Sequence, residues 1–395
     1  MKKILFLTHQ MPYPPVSGGT IKRWKLVEHL SENYDLAISL LYTDDSARLK
    51  DTLLSKIRIS DFYGEILKRP RNLLNLLKSY LKNIPLSLYR NYSATFKNHV
   101  EKIASHYDII FLDSLIMSQY IPDAFPGRII LHAHNAEYVI WEKLFYLERH
   151  PIIKLGIFLE SRRIKTYEKA AGDRAHVILA APNDTADLIR LGIRHEKFHE
   201  TFHLGNEGLL NQPDIDFDRT EKALLYVGSL SWEPNADGLI WFIKHAWDRL
   251  KAQDPKLRFY IVGENPGKAL QNLVQHKKDI VLTGFIKDLA PYYARCRIFV
   301  VPLRFGGGIK VKIINAMYRG IPIVTTPTGT EGLAMVDMVH AAISEDLDKM
   351  VRNIHRLLKD KKLWKALGDN ARSLARQKYT WDKVFANVDS AIRGD

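Results

Sequence analysis

A single cysteine, Cys296, stands in 395 residues. It excludes an intrachain disulfide framework and gives no thiolate metal cluster, and it is compatible with a reducing compartment. No stretch reaches the ~20 consecutive apolar residues of a membrane-spanning helix. The apolar run Ile4–Leu7 after Lys2-Lys3 is too short for a secretory leader, and His9, Gln10 and several prolines soon interrupt it, so it reads as the first core strand of a cytoplasmic protein. No tandem repeat recurs at a period of ~20–50 residues. Nucleic acid is disfavoured as a partner, because no recognised module is present and the aromatics do not interleave with basic residues as a stacking platform. Carboxylates are the scarcer charge, 44 against 58 Lys and Arg, and the balance of +14 calls for an anionic partner such as a nucleotide-linked substrate or an anionic membrane surface.

What is present is alternation. Short apolar runs at Lys3–Thr8, Leu36–Tyr42, Ile109–Leu112, Arg128–His132 and Val177–Ala180 have the pattern of strands buried on both faces, with Thr201–Leu204 as one more. Helical spacing separates them, as in Ile21, Trp24, Val27 and Leu30. The pattern restarts at Lys222–Gly228 and repeats at Leu257–Val262, Ile280–Thr283, Ile298–Val301 and Pro322–Thr325, with helices at Gly238–Lys251 and Leu347–Leu358. Strands alternating with helices predict an α/β protein with two parallel sheets, each covered on both faces. The length also calls for two domains. The expected division is 1–205, a polar linker at 206–220, a second domain at 221–378, and a final helix at 379–395. The stretch Ile66–His106 carries Lys68, Arg69, Arg71, Lys78, Lys82, Arg90, Lys97 and Lys102 among leucines. It predicts a basic amphipathic helix able to lie on an anionic lipid surface, peripheral on the inner face of the cytoplasmic membrane.

The segment Val300–Thr326 says most about function. It reads as a buried strand, a triple-glycine loop at Gly306–Gly308, a short helix stopped by Gly320, and another strand. Glycines let backbone N–H groups approach a ligand, and a helix start adds partial positive charge. Lys310 and Lys312 fall in the first helical turn, where the dipole favours carboxylates, so the arrangement predicts a diphosphate site. Gly18 and Gly19 open a helix after the first strand, where open α/β sheets bind ligands. Lys312 and Asn315 are three apart and share a helical face. His132 and His134 alternate after a strand, so one of them lines the ligand edge.

Gly306–Gly332, Tyr226–Asn235, His134–Glu137 and Tyr379-Thr-Trp381 together resemble the retaining family 4 group of GT-B glycosyltransferases, in its triple-glycine-loop form. The resemblance covers essentially the whole chain. It implies two Rossmann-like domains whose sheets face a central cleft, with the final helix returning to the N-terminal domain. It also implies transfer of a hexose-type sugar from a nucleoside-diphosphate donor to an acceptor hydroxyl, with retention of configuration and without metal or other cofactor. The expected acceptor is a lipid-linked or polysaccharide glycan of the cell envelope, and the donor base stays open. On this pattern His134 contacts the donor sugar, and Lys312 reaches phosphate. Gly18, Gly19, Gly307, Gly308, Ile309, Lys310 and Arg304 surround the diphosphate, while Ser229 stands where many relatives carry a basic residue. Asn315 reaches the ribose, Gly284, Phe285 and Ile286 hold the base, and Thr330 and Glu331 meet the donor sugar. Glu137 binds acceptor or caps the helix from Tyr138. Both family glutamates are absent, their places taken by Gly307 and Asn315. A catalytically weak or inactive nucleotide-sugar-binding partner and a two-domain sugar-nucleotide epimerase are the alternatives.

Overall fold

The structure is a computed structural model, and it describes every residue except 16, 17, 43–45, 47, 71 and 395. Arg71, counted above among the basic residues, thus lies outside the described residues. The chain divides into two compact units: Met1–Phe202 with Val384–Asp395, and His203–Lys383.

The first unit holds β1 (Lys3–Thr8), β2 (Asp35–Tyr42), β3 (Asp61–Ile66), β4 (Ile109–Leu112), β5 (Arg128–His132), β6 (Val177–Ala180) and β7 (Phe198–Glu200) in the order β3-β2-β1-β4-β5-β6-β7. Every neighbouring pair is parallel. Apolar side chains point to both faces, as in the fully buried β4, because helices cover the sheet on each side. The second unit repeats the plan with β8 (Glu221–Val227), β9 (Arg258–Val262), β10 (Ile280–Gly284), β11 (Cys296–Val301), β12 (Ile323–Thr325) and β13 (Ala342–Ile343), ordered β10-β9-β8-β11-β12-β13. Both sheets therefore reverse direction once, between β1 and β4 and between β8 and β11. Such switch points leave a crevice beyond the carboxyl ends of the strands.

Three expectations need correction. The last strand of the first sheet is Phe198–Glu200, not Thr201–Leu204. The edge strand needs only one apolar face, so it carries the more polar sequence, while the apolar Phe202 and Leu204 are buried outside the ladder. The stretch Ile66–His106 is not one helix: Leu73–Leu81, Leu86–Tyr89 and Ala94–Ile103 are separate, divided near Asn83 (φ 52°) and Pro85. The helix expected at Gly238 begins five residues earlier, at Glu233, with Pro234 in its first turn. The stretch 206–220 packs on the second unit, where Arg372 donates to Leu210 O and Gln212 O and Arg297 to Thr220 O. Among the described residues no helix is long and apolar enough to cross a membrane.

Candidate functional site

In the second unit the chain leaves β11 through Pro302–Ile309 and enters the Val311–Arg319 helix. Gly306 (φ 136°) and Gly308 (φ 70°) take backbone conformations that other residues avoid. Gly320 (φ 66°) ends the helix in the left-handed region. Lys312 is drawn back across the carboxyl end of β8. Its Nζ donates to Tyr226 Oη at 2.8 Å and to Asn235 Oδ1 at 2.6 Å. Asn235 also donates Nδ2–H to Ser229 O, stapling the turn between β8 and the next helix. A Cβ on Gly263 would lie 2.0 Å from Gly228 O, so that strand end needs glycine, and one on Gly228 would lie 2.9 Å from Lys312 Nζ. Burial, with Lys310 nearby, pushes the Lys312 ammonium down to about 7. Tyr226 and Asn235 are neutral, and no carboxylate opposes the shift.

The other expected residues divide. Lys310 is buried at the helix N-cap, donates to Gly308 O at 2.7 Å and pairs with Glu331 at 3.1 Å. That pair joins the glycine loop to Glu331 and charge-neutralises both. Arg304 is held by a two-point bond to Asp237, at 2.8 and 2.5 Å. Asn315 Oδ1 accepts the Asn206 amide at 2.9 Å and presses on Gly205. Ser229 Oγ bonds Ser231 Oγ, and Thr330 donates to Pro327 O. Gly284 has φ 71° with open space where its Cβ would be, and Phe285 beside it is 68% exposed, while Ile286 is half-buried. Gly307 is exposed and Ile309 half-buried on the same loop.

At the switch point of the first unit the two histidines singled out above meet a carboxylate that sequence reasoning missed. Asp113, just past β4, is fully buried and forms an ion pair with Arg23. It also accepts from Thr8 Oγ1 at 2.8 Å, at the end of β1, and lies 3.3 Å from His132 Nδ1 and 3.2 Å from His134 Nε2. His134 Nε2 meets Asp113 O at 2.8 Å as well. Both histidines therefore converge on one carboxylate, although strand alternation separates them, because the chain leaves the β ladder after His132. Burial would raise the Asp113 carboxyl, but Arg23, His134 and the two histidine bonds hold it well below the usual range. Burial pushes His132 well below its usual range and Lys22 down to about 7. The one available signal was a carboxylate directly after an all-apolar strand.

Asp113, His132 and His134 offer ligand atoms within 4.8 Å of one another, the spacing of a cation site. Arg23 already neutralises that carboxylate and Lys22 adds positive potential, so the cluster suits an anion or a hydroxyl better than a metal ion. Gly18 starts the helix Gly18–Asn33, and a Cβ on Gly19 would meet nothing within 4 Å, so internal packing does not demand that glycine. Glu137 does not cap its helix. The Glu137 and Tyr138 amides donate to Glu168, and the Ala136 amide donates to Asp184. Carboxylates from two other helices thus satisfy that N-terminus.

Residues 221–360 match the family model described as glycosyl transferases group 1. Along 98% of its length the chain is 24% identical to an uncharacterized 44.6 kDa protein in the cps region of Klebsiella pneumoniae, covering 99% of that protein. Among solved structures it superposes on Anabaena HepE in complex with UDP, with a TM-score of 0.68, 15% identity and 100% of both chains covered. It also superposes on the lipopolysaccharide outer core galactosyltransferase WaaB, with a TM-score of 0.65, 15% identity and 99% of both chains covered. Each of these structural likenesses is one of fold.

Proposed function

We propose that this chain, whose residues 221–360 match the group 1 glycosyl transferase model, moves a hexose from a UDP-sugar to a hydroxyl of a polysaccharide or lipid-linked glycan, with retention of configuration. The observation that carries this reading is Lys312: a half-buried ammonium at the switch point, beside a glycine loop, held by two neutral oxygens. A diphosphate is the anion whose size and charge suit it. As the glycosidic bond breaks, negative charge grows on the leaving UDP. Lys312, the Gly306–Gly308 amides and the start of the Val311–Arg319 helix stabilise that charge, and their dipoles are already oriented. Lys310 is the structural member, fixing the loop through Glu331. On the first unit His134, oriented by Asp113, acts on the transferred sugar, and Gly18-Gly19 exposes amides to the donor. UDP is chosen because HepE has been solved with UDP and with UDP-glucose. A glycan acceptor is chosen because the Klebsiella relative lies in a cps region.

The Leu73–Leu81 helix supports an anionic membrane surface as a partner. Leu73, Leu74, Leu77 and Leu81 are exposed, Lys78 and Lys82 flank them, and no carboxylate lies among them. A second reading, a nucleotide-sugar-binding partner without turnover, is favoured by the neutral Gly307 and Asn315 at the family's glutamate positions. Calorimetric titration with UDP, GDP and ADP, followed by UDP-sugar hydrolysis assays, separates the two. UDP binding with slow hydrolysis supports the transferase, and binding with no turnover of any UDP-hexose supports the partner. Failure of every nucleoside diphosphate to bind sinks both.

A further inference from the structure

Thirteen of the twenty large apolar side chains exposed among the described residues stand on three helices of the first unit. Five belong to the Leu73–Leu81 helix. The other eight stand on a helical hairpin, Glu137–Leu147 and Pro151–Arg174, whose two helices pack together. Ile140, Leu144 and Tyr146 come from its first helix, and Ile152, Ile153, Leu155, Phe158 and Leu159 from the opening turns of its second. From Pro151 to Leu159 the only charge is Lys154 and the only buried residue is Ile157. At ~100° per residue, the exposed positions of this arm take up ~220° of the helix circumference. A Cβ on Gly156 would meet nothing within 4 Å, so no described part of the chain covers that side. An apolar surface of this extent marks a place where something docks.

Charge and shape decide what docks. The carboxylates nearest the arm in sequence are spent within the chain. Glu142 pairs with Lys165 at 3.0 Å, Glu148 accepts the Arg149 and His150 amides at 2.7 Å, and Glu160 is buried beside Arg163. The groups left around the arm are cations, with Lys143, Arg149 and Arg162 exposed. Lys154 Nζ lies 4.8 Å from the centre of the Phe145 ring, and the Arg162 guanidinium lies 5.4 Å from that of Phe158, so both cations border the apolar surface. A folded partner meets a helix from one side, which leaves much of a ~220° arc uncovered. Acyl chains close round a helix from every open direction, and anionic headgroups meet the cations at the boundary. Arg163 also ties the hairpin to the Leu73–Leu81 helix, donating to Ser79 O at 2.8 Å and lying 4.0 Å over the Tyr80 ring.

We propose that the Pro151–Leu159 arm inserts into the headgroup–acyl boundary of an anionic bilayer, an inference that deepens the membrane-surface reading and rests on it. Nine helical residues rise ~14 Å, too little to cross a ~30 Å hydrocarbon core, so the arm stays in one leaflet. Insertion adds an apolar contribution to the attraction of the basic residues, and that contribution persists in salt that screens the charges.

The test is binding of the full chain to phosphatidylcholine vesicles with and without phosphatidylglycerol, at low and high salt. Insertion is read from an NBD label on Ile153→Cys, because the native Cys296 is buried and escapes labelling. On phosphatidylglycerol vesicles the label is expected to shift its emission to the blue and to be quenched by spin-labelled lipid. The same label on Ala170→Cys, exposed about three turns beyond Leu159, is expected to stay water-like. A variant carrying Ile152→Ser, Ile153→Ser and Leu155→Ser is expected to lose about tenfold or more in vesicle affinity at both salts. Its urea melt and UDP affinity should match the parent's, and the label decides the matter if the variant fails to fold. A water-like Ile153→Cys label on bound protein, or a triple variant that binds vesicles as the parent does, overturns the insertion. Equal binding to both vesicles overturns the anionic selectivity. A parent dimer that the triple variant dissolves, with vesicle binding unaffected, gives the arm to a second copy and overturns insertion as well. Loss of binding in Leu74→Glu and Leu77→Glu but not in the triple variant keeps the membrane surface on the Leu73–Leu81 helix and removes the arm. No binding of the parent to either vesicle removes both.

Discussion

Lys312 Nζ lies 2.6 Å from Asn235 Oδ1, in the first turn of the Glu233–Phe242 helix that follows β8. A cation from the Val311–Arg319 helix is thus held in place by a neutral side chain of the helix after β8. Tyr226 Oη completes the cradle at 2.8 Å.

Replacing Lys312 with alanine removes this charge from the proposed diphosphate site. A charged hydrogen bond contributes about 1.5–3 kcal/mol, so UDP affinity should fall roughly 10- to 100-fold. Titration calorimetry of parent and variant reads the change. Unchanged affinity would remove Lys312 from the site.

The same group predicts a pH dependence. Its ammonium titrates at about 7 in the folded chain, below the ordinary lysine value of 10.5, so the unfolded chain binds the extra proton across that window. The contribution of Lys312 to stability therefore rises with pH between about 7 and 10.5 and is lost as pH falls toward 7. Diphosphate binding favours the charged form, so UDP affinity should weaken as pH rises from about 7 to about 9, with proton uptake on binding. Titrations in buffers of differing ionisation enthalpy measure that uptake, and Lys312→Ala should abolish it.

Gly205 faces Asn315. A Cβ there would lie 1.9 Å from Asn315 Oδ1, and that oxygen is fixed by the Asn206 amide. Gly205→Ala should cost about 1–3 kcal/mol of stability in denaturant melts. Adding Asn315→Ala should recover part of the loss, because the obstructing atom is then gone. No recovery would mean that the glycine is needed for its backbone instead.

Asp113 and Arg23 form a buried ion pair in the first unit. Removing either partner leaves the other buried without its opposite charge, at a cost of about 3–5 kcal/mol. The Asp113→Ala, Arg23→Ala double variant should lose clearly less than the sum of the single losses. Additive losses in urea melts would show that the two residues are not coupled.

Leu74 and Leu77 are 58% and 63% exposed, so Leu74→Glu and Leu77→Glu should shift stability by no more than about 0.5 kcal/mol. Both changes should nevertheless reduce co-sedimentation with phosphatidylglycerol vesicles. Sedimentation equal to the parent protein's would count against the membrane surface.

The class of fold was legible because its signal is local. A strand buried on both faces is largely apolar, and runs such as Ile109–Leu112 and Ile298–Val301 declare themselves without knowledge of their neighbours. Gly320 announced the end of its helix for the same reason, since one residue's φ decides it. Edge strand β7 and the breaks within 66–106 were not legible, because an edge needs only one apolar face and a helix break depends on what each piece packs against.

The loop glycines and Lys312 could be named from spacing alone, but not the company they keep. Tyr226 and Asn235 stand 86 and 77 residues from Lys312, and they meet it only because β8 and β11 lie side by side. Asp113 draws Thr8, Arg23, His132 and His134 from distant places in the chain, since parallel strands end at one edge. Periodicity and turn chemistry are carried by neighbours in sequence and can be read there. Burial, charge pairing and the shift of a buried ammonium depend on distances through space, and those exist only once the sheets have assembled.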